Sequence, residues 1–173
     1  MLSYGSPSTN RTSTAGWAAL NASTAAAANT AALARGLAAG LAGTVVMTAF
    51  QKGLEMPLTG RTDSYAPAEL AERLGLRKRR GRKREYINYA THFLLGAGWG
   101  LARGVAGRAG LRGPKAIGAV FAVMYPGDVV MVAALGLDEP WRWSVEDVTI
   151  DVVDKLVLAA ATGLAFDRLA GST

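Results

Sequence analysis

The stretch Ala116 to Leu137, AIGAVFAVMYPGDVVMVAALGL, decides how this chain is read. It holds a single charge, Asp128, and is bounded by Lys115 and Asp138. Crossing a hydrocarbon core takes about 20 mainly apolar residues in a helix, and this run meets that length. Its middle, Tyr-Pro-Gly-Asp at 125–128, is unusual for such a helix. Pro126 cannot donate to the helical ladder and Gly127 loosens the backbone. We therefore expect a helix break at Pro126 and Gly127, with Asp128 capping the second half-helix. Broken helices at membrane depth are tolerated where protein buries them or where they line a cavity.

Three further apolar segments flank this one. The first runs from Gly36 to Gln51 between Arg35 and Lys52, and the second from Tyr86 to Ala102 between Glu85 and Arg103. The last runs from Val145 to Leu169 and carries Asp147, Asp151, Asp154 and Lys155 in its first half. The first three are apolar on every face, whereas a helix of a soluble bundle shows a polar stripe. Trp141 and Trp143 precede the last segment, where an interfacial aromatic belt belongs. The expected fold is all-α, a four-transmembrane-helix bundle with spans near 35–54, 87–106, 115–136 and 145–168. A soluble Ala/Gly-rich helical bundle is the lesser alternative. Residues 1–32 are rich in Ser, Thr and Ala without apolar period, which reads as a disordered tail ahead of a single membrane domain at 33–171.

Composition narrows the function. The 173 residues include no cysteine and one histidine, so a thiolate metal site is excluded and a histidine-rich one is disfavoured. Asp147, Asp151 and His92 offer only a thin oxygen and nitrogen donor set for a divalent ion. No HExxH and no serine with a paired histidine and acid is present, so no catalytic residue and no cofactor is assigned. Gly-Ala-Gly-Trp-Gly at 96–100 is not a dinucleotide loop, because Arg103 stands at the third glycine's position and no strand precedes it. Instead Gly36 and Gly40, and Gly96, Gly100 and Gly104, are spaced four apart, the pattern that lets membrane helices pack backbone to backbone.

The net charge of +6 owes much to one run, Arg77, Lys78, Arg79, Arg80, Arg82, Lys83 and Arg84. Beside a membrane segment it reads as a patch for anionic lipid headgroups. Nucleic acid is the poorer fit, because no aromatics are interleaved. Between the first segment and this run, Pro67 and Gly75 bracket a short helix with Leu70 and Leu74 on one face, either interfacial or packed on the bundle end. The positive-inside rule favours the basic-loop side as cytoplasmic, while Arg103, Arg108, Arg112 and Lys115 in the opposite loop pull the other way.

Counting at 1.5 Å per residue puts His92, Asp128, Asp151, Asp154 and Lys155 in the same half of the membrane, roughly 8 Å or more from the basic-loop side. Asp147, Asp151 and Lys155 lie i, i+4, i+8 on one helical face. Charges at that depth cost about 2.5–3.5 kcal/mol each on insertion scales, so the face must meet partners rather than lipid. Two readings follow. His92, Asp128, Asp147, Asp151, Asp154 and Lys155 form either a buried network that fixes helix register or a polar pocket for a proton, cation or small polar ligand. An accessory or assembly subunit packing against a larger membrane complex is the competing class, and a homo-oligomer or such a complex is the expected assembly.

Four stretches together resemble a known family: AGTVVMTAFQKGLEMPLTGRTDSYAPAELAERLGL (42–76), NYATHFLLGAGWGLARG (88–104), GLRGPKA (110–116) and EPWRWSVEDVTIDVVDKLVLAAATGLAFDRL (139–169). The pattern is similar to an uncharacterised family of small four-span membrane proteins of high-GC bacteria, distantly YagU-like. The resemblance implies a multi-pass protein of the bacterial plasma (inner) membrane. It brings no activity, and the basic run at 77–84 is heavier than the family pattern.

Overall fold

A computed structural model describes the backbone of residues 11–171 and the side chains of 16–171. The described residues are helical and contain no strand. Helix α1 covers Arg11–Phe50, followed by a π-helical turn at Gln51–Glu55 and the short α2, Met56–Thr59. Then come α3 (Ala66–Arg73), α4 (Arg82–Arg108), α5 (Gly113–Ala134), a 3₁₀ turn at Pro140–Arg142, and α6 (Val145–Gly171). Two compact units are distinguished, one up to Ala31 and one from Ala32 onward.

The expected disordered tail is corrected for residues 11–32, which are helical; residues 1–10 lie outside the described residues. Alanine loses least on entering a helix, so this stretch needs no apolar stripe to be helical. Three of its hydroxyls turn back into the helix: Ser23 and Thr24 donate to the Leu20 carbonyl and Thr30 to that of Ala26.

In the second unit, α1 meets α4 along the glycine ridge. A Cβ at Gly40 would sit 2.9 Å from Gly100 Cα and 3.0 Å from Ala97 Cα, and one at Gly100 would sit 2.8 Å from Gly40 Cα. Gly36 faces Gly100 and Gly104, and a Cβ at Gly104 would lie 2.8 Å from the Ala32 carbonyl. Only glycine permits such approach, and the buried Thr44 turns its hydroxyl back to Gly40 at 2.8 Å to fit beside Gly96. On another face α1 meets α6, where a Cβ at Gly43 would lie 3.0 Å from the Thr162 amide nitrogen. Helix α6 in turn meets α5, where Ile117 fills the space over Gly163. Met47, Met124, Leu158 and Ala159 form the buried apolar core between these helices.

Helices α3, α4 and α5 all end in the same way. Gly75, Gly110 and Gly136 take positive φ just past the helix, and the next residue's amide reaches back: Leu76 to Ala71, Leu111 to Ala106 and Leu137 to Val132. This paired closure satisfies the last carbonyls, and the left-handed position suits glycine. Helix α6 starts with a capping box, the Ser144 hydroxyl receiving the Asp147 amide at 3.1 Å while Asp147 receives that of Ser144 at 2.9 Å.

Helix α5 runs unbroken through Pro126 and Gly127, which corrects the expected break. Proline costs the Ala122 carbonyl its ladder partner, but that is one bond. The turn is held by fully buried Met124 and by the bonds of Asp128 described below. Gly127 serves packing rather than bending, since a Cβ there would lie 3.1 Å from the Trp99 ring.

Two of the described helices are long and apolar enough to cross a membrane: Gly16–Thr59 and Gly113–Ala134. The 27-residue α4 and α6 are long enough but less apolar.

Candidate functional site

One end of the second unit holds a cavity of about 920 Å³. The C-terminal end of α1 with its π turn, the loop before α3, the stretch Asn88 to Trp99 of α4, the second half of α5 and the first half of α6 all contribute to its wall. His92, Asp128, Asp147, Asp151, Asp154 and Lys155 all line it. They do not form one bonded cluster.

Lys155 is the centre of the most connected group. Its ammonium lies 3.0 Å from Asp151 on its own helix and 3.4 Å from Asp128 on α5. The i, i+4 spacing on α6 gives the first contact and the approach of α5 gives the second. Asp128 also receives the indole N–H of Trp99 at 3.1 Å, so α4 joins the group. Asp128 thus pairs between helices and does not cap a half-helix as the sequence suggested. Three helices are pinned by two carboxylates, one ammonium and one indole.

Asp154 stands apart. It is buried, and its Oδ2 receives the Gln51 amide at 2.6 Å. Its Oδ1 is buried and has no hydrogen-bond partner. Gln51 opens the π turn, whose wider i→i+5 spacing is seen in the Met56 N–H bonded to the Gln51 carbonyl. Such turns insert one residue into the helix and recur at functional positions. His92 pairs with the Thr48 hydroxyl at 3.2 Å, one turn before Gln51, and not with any carboxylate.

Asp147 sits at the mouth, where its capping role is joined by an ion pair with Arg61. Nearby, Lys52 bonds Asp63 at 3.0 Å and lies 5.3 Å from the Tyr89 ring centre, and Tyr89 donates to the same Asp63 at 3.2 Å. Buried Asn88 fastens the loop by accepting the Ala68 amide at 3.0 Å and donating to the Ser64 carbonyl at 2.8 Å. Among the described residues no group of three or more His, Asp or Glu is arranged to hold a metal ion.

The short helix α3 packs against α4 with Ala68, Leu70 and Ala71 buried. Leu74, expected on Leu70's face, is the C-cap and is exposed. The basic run divides. Residues 77–83 are exposed, but Arg84 bonds Glu69 at 3.0 Å, pairs with Glu72 at 3.7 Å and stacks over Tyr65. Arg84 therefore holds α3 to α4 and is withdrawn from the headgroup patch.

Sequence reading missed Trp99, Gln51, Arg61 and Asn88. It also placed Arg103 in a loop, whereas this arginine is 1% exposed within α4. It pairs with Asp167 of α6 and stacks 4.1 Å from the Phe166 ring centre, while Asp167 also receives the first amide of α5, Gly113, at 3.2 Å. Compared with family models, curated proteins and solved structures, the chain finds no match.

Proposed function

We propose that this chain is an integral protein of a bacterial plasma membrane, a four-span helical bundle whose polar pocket binds or passes a proton, cation or small polar ligand. The observation that carries this reading is the placement of ionisable side chains. Asp128, Asp151, Asp154 and Lys155 lie within helices and line the open cavity. Leu37, Leu41, Val45 and Val46 of α1, Leu94 of α4, Val123 and Val130 of α5, and Leu164 of α6 are exposed outward. Apolar residues outside and paired charges inside are the distribution a bilayer favours, and intramembrane ionisable groups mark ligand and ion pathways. The two long apolar helices agree with it.

Pairing also meets the cost of insertion. The charges of α6 would be expensive on a lone helix in lipid, but Lys155 and Asp151 enter as a pair and Asp128 completes it. The exposed basic residues 77–83 stand beside the first turn of α4, where anionic headgroups would meet them.

Reconstitution into proteoliposomes tests the proposal. The full chain should give a proton or cation flux, or a ligand response, that Asp128→Asn and Asp151→Asn reduce. A response indifferent to both substitutions contradicts it.

A further inference from the structure

The cavity has a chemical preference of its own. Its wall carries nine Asp or Glu side chains and four Lys or Arg, in a chain whose net charge is +6. Each of the four cations is already engaged: Lys52 by Asp63, Arg61 by Asp147, Arg142 by Glu139, and Lys155 by Asp128 and Asp151. Asp154 is the buried carboxylate of this wall that forms no ion pair; its neighbour Lys155 is bonded to Asp128 and Asp151 instead. Asp154 is 8% exposed, held from one side by Gln51, with Oδ1 unpartnered. A buried oxygen of a carboxylate without a donor is costly, and such a group points to a missing partner.

The chain itself displays the partner's chemistry. Two of its own ammonium groups sit in this cavity, Lys155 between two carboxylates and Lys52 on a carboxylate and an aromatic face. An ammonium brings three donors and no acceptor. At Asp154 acceptors are available: the free Oδ1, and the side-chain oxygen of Gln51, whose Nε2 already donates to Oδ2. Met47, Leu95 and Leu158 supply apolar wall for a short carbon stem. The volume is that of an organic ligand site, and no metal-holding group exists among the described residues.

We infer that the pocket binds a small organic cation bearing a primary ammonium, with Asp154 as its counter-ion. This rests on the pocket reading above and narrows its ligand to one class. The guest's ammonium gives the buried oxygen its missing donor, and Gln51 at the π turn keeps the carboxylate aimed.

The test uses the full chain in nanodiscs and three isosteric probes, n-butylammonium, n-butanol and n-butyrate, followed by ligand-observed saturation-transfer NMR against empty nanodiscs. Butylammonium should saturate, and butyrate should show no binding. Asp154→Asn should weaken butylammonium by about tenfold or more, the scale of one charge-assisted hydrogen bond, and Asp154→Glu should restore much of it. If butanol or butyrate binds as tightly as butylammonium, the ammonium inference falls while the pocket stands. If no probe binds, the ammonium inference falls, while the flux measurement in proteoliposomes separately decides the pocket. Undiminished affinity in Asp154→Asn also overturns the inference. Probe selectivity in the wild type decides the matter even where that variant does not fold.

Discussion

Lys155→Met is the sharpest perturbation of the structure. The substitution keeps the stem and removes the ammonium that joins α5 to α6. Side-chain exposure is 19% for Lys155, 15% for Asp128 and 27% for Asp151, so these charges are shielded well beyond an ordinary surface pair. Removing one partner of a fully buried pair costs about 3–5 kcal/mol, because the other charge is left unpaired. Here two carboxylates are left, but the cavity beside them admits some solvent, and Asp128 keeps the Trp99 bond. We expect a loss of about 2–3 kcal/mol. Removing all three charges, Lys155→Met with Asp128→Asn and Asp151→Asn, should recover more than half of that loss, since no orphan charge remains. Equilibrium unfolding in mixed micelles, run as a thermodynamic cycle, gives both numbers. A single variant within about 0.5 kcal/mol of wild type, or a triple variant no better than the single, refutes the view that this triad ties the helices.

Two glycines of α4 offer a paired test: Gly100→Ala, on the ridge, should destabilise by about 1–3 kcal/mol or more because its Cβ meets backbone, whereas Gly98→Ala, off the ridge with open space around it, should hold or gain up to about 1 kcal/mol. Unfolding of the two variants side by side checks this. Asn88→Ala should cost about 1–3 kcal/mol by orphaning the Ala68 amide, and hydrogen exchange should rise in α3 before it rises in α4. Replacing the exposed basic residues 77–83 by glutamine should reduce retention of anionic lipid by about 1 kcal/mol per charge removed, read by native mass spectrometry of the protein released from micelles.

What the sequence disclosed was position along the helices, and what it withheld was azimuth. A fixed rise per residue is enough to bring His92, Asp128, Asp151, Asp154 and Lys155 to one level, and they line one cavity. The partner each one chooses depends on how each helix is rotated about its axis. That rotation is set by close packing at Gly40, Gly43, Gly100 and Gly163, of which two belong to no legible repeat. So Trp99 on Asp128 and Gln51 on Asp154 were invisible. Arg103 was misplaced for a related reason: a charge at the end of an apolar run resembles a flank until Asp167, far along the chain, is seen beside it. Pro126 misled in the opposite sense. The local rule for proline is sound, but Trp99 and Lys155 both hold Asp128, two residues past the proline, and α5 continues. In the first unit, alanine propensity supplied a helix where periodicity had nothing to show.

Cysteine accessibility in native membranes tests the central claim most directly, because the chain has no cysteine of its own. Thr48→Cys and Gln51→Cys sit in the cavity wall, while Leu94→Cys and Val123→Cys sit on outward faces, 72% and 63% exposed. A membrane protein with a water-filled pocket predicts that a charged, membrane-impermeant maleimide labels the two cavity positions from one side and spares the two outward ones, which lipid covers. Rapid labelling at Leu94 and Val123, or none at Thr48 and Gln51, would contradict it.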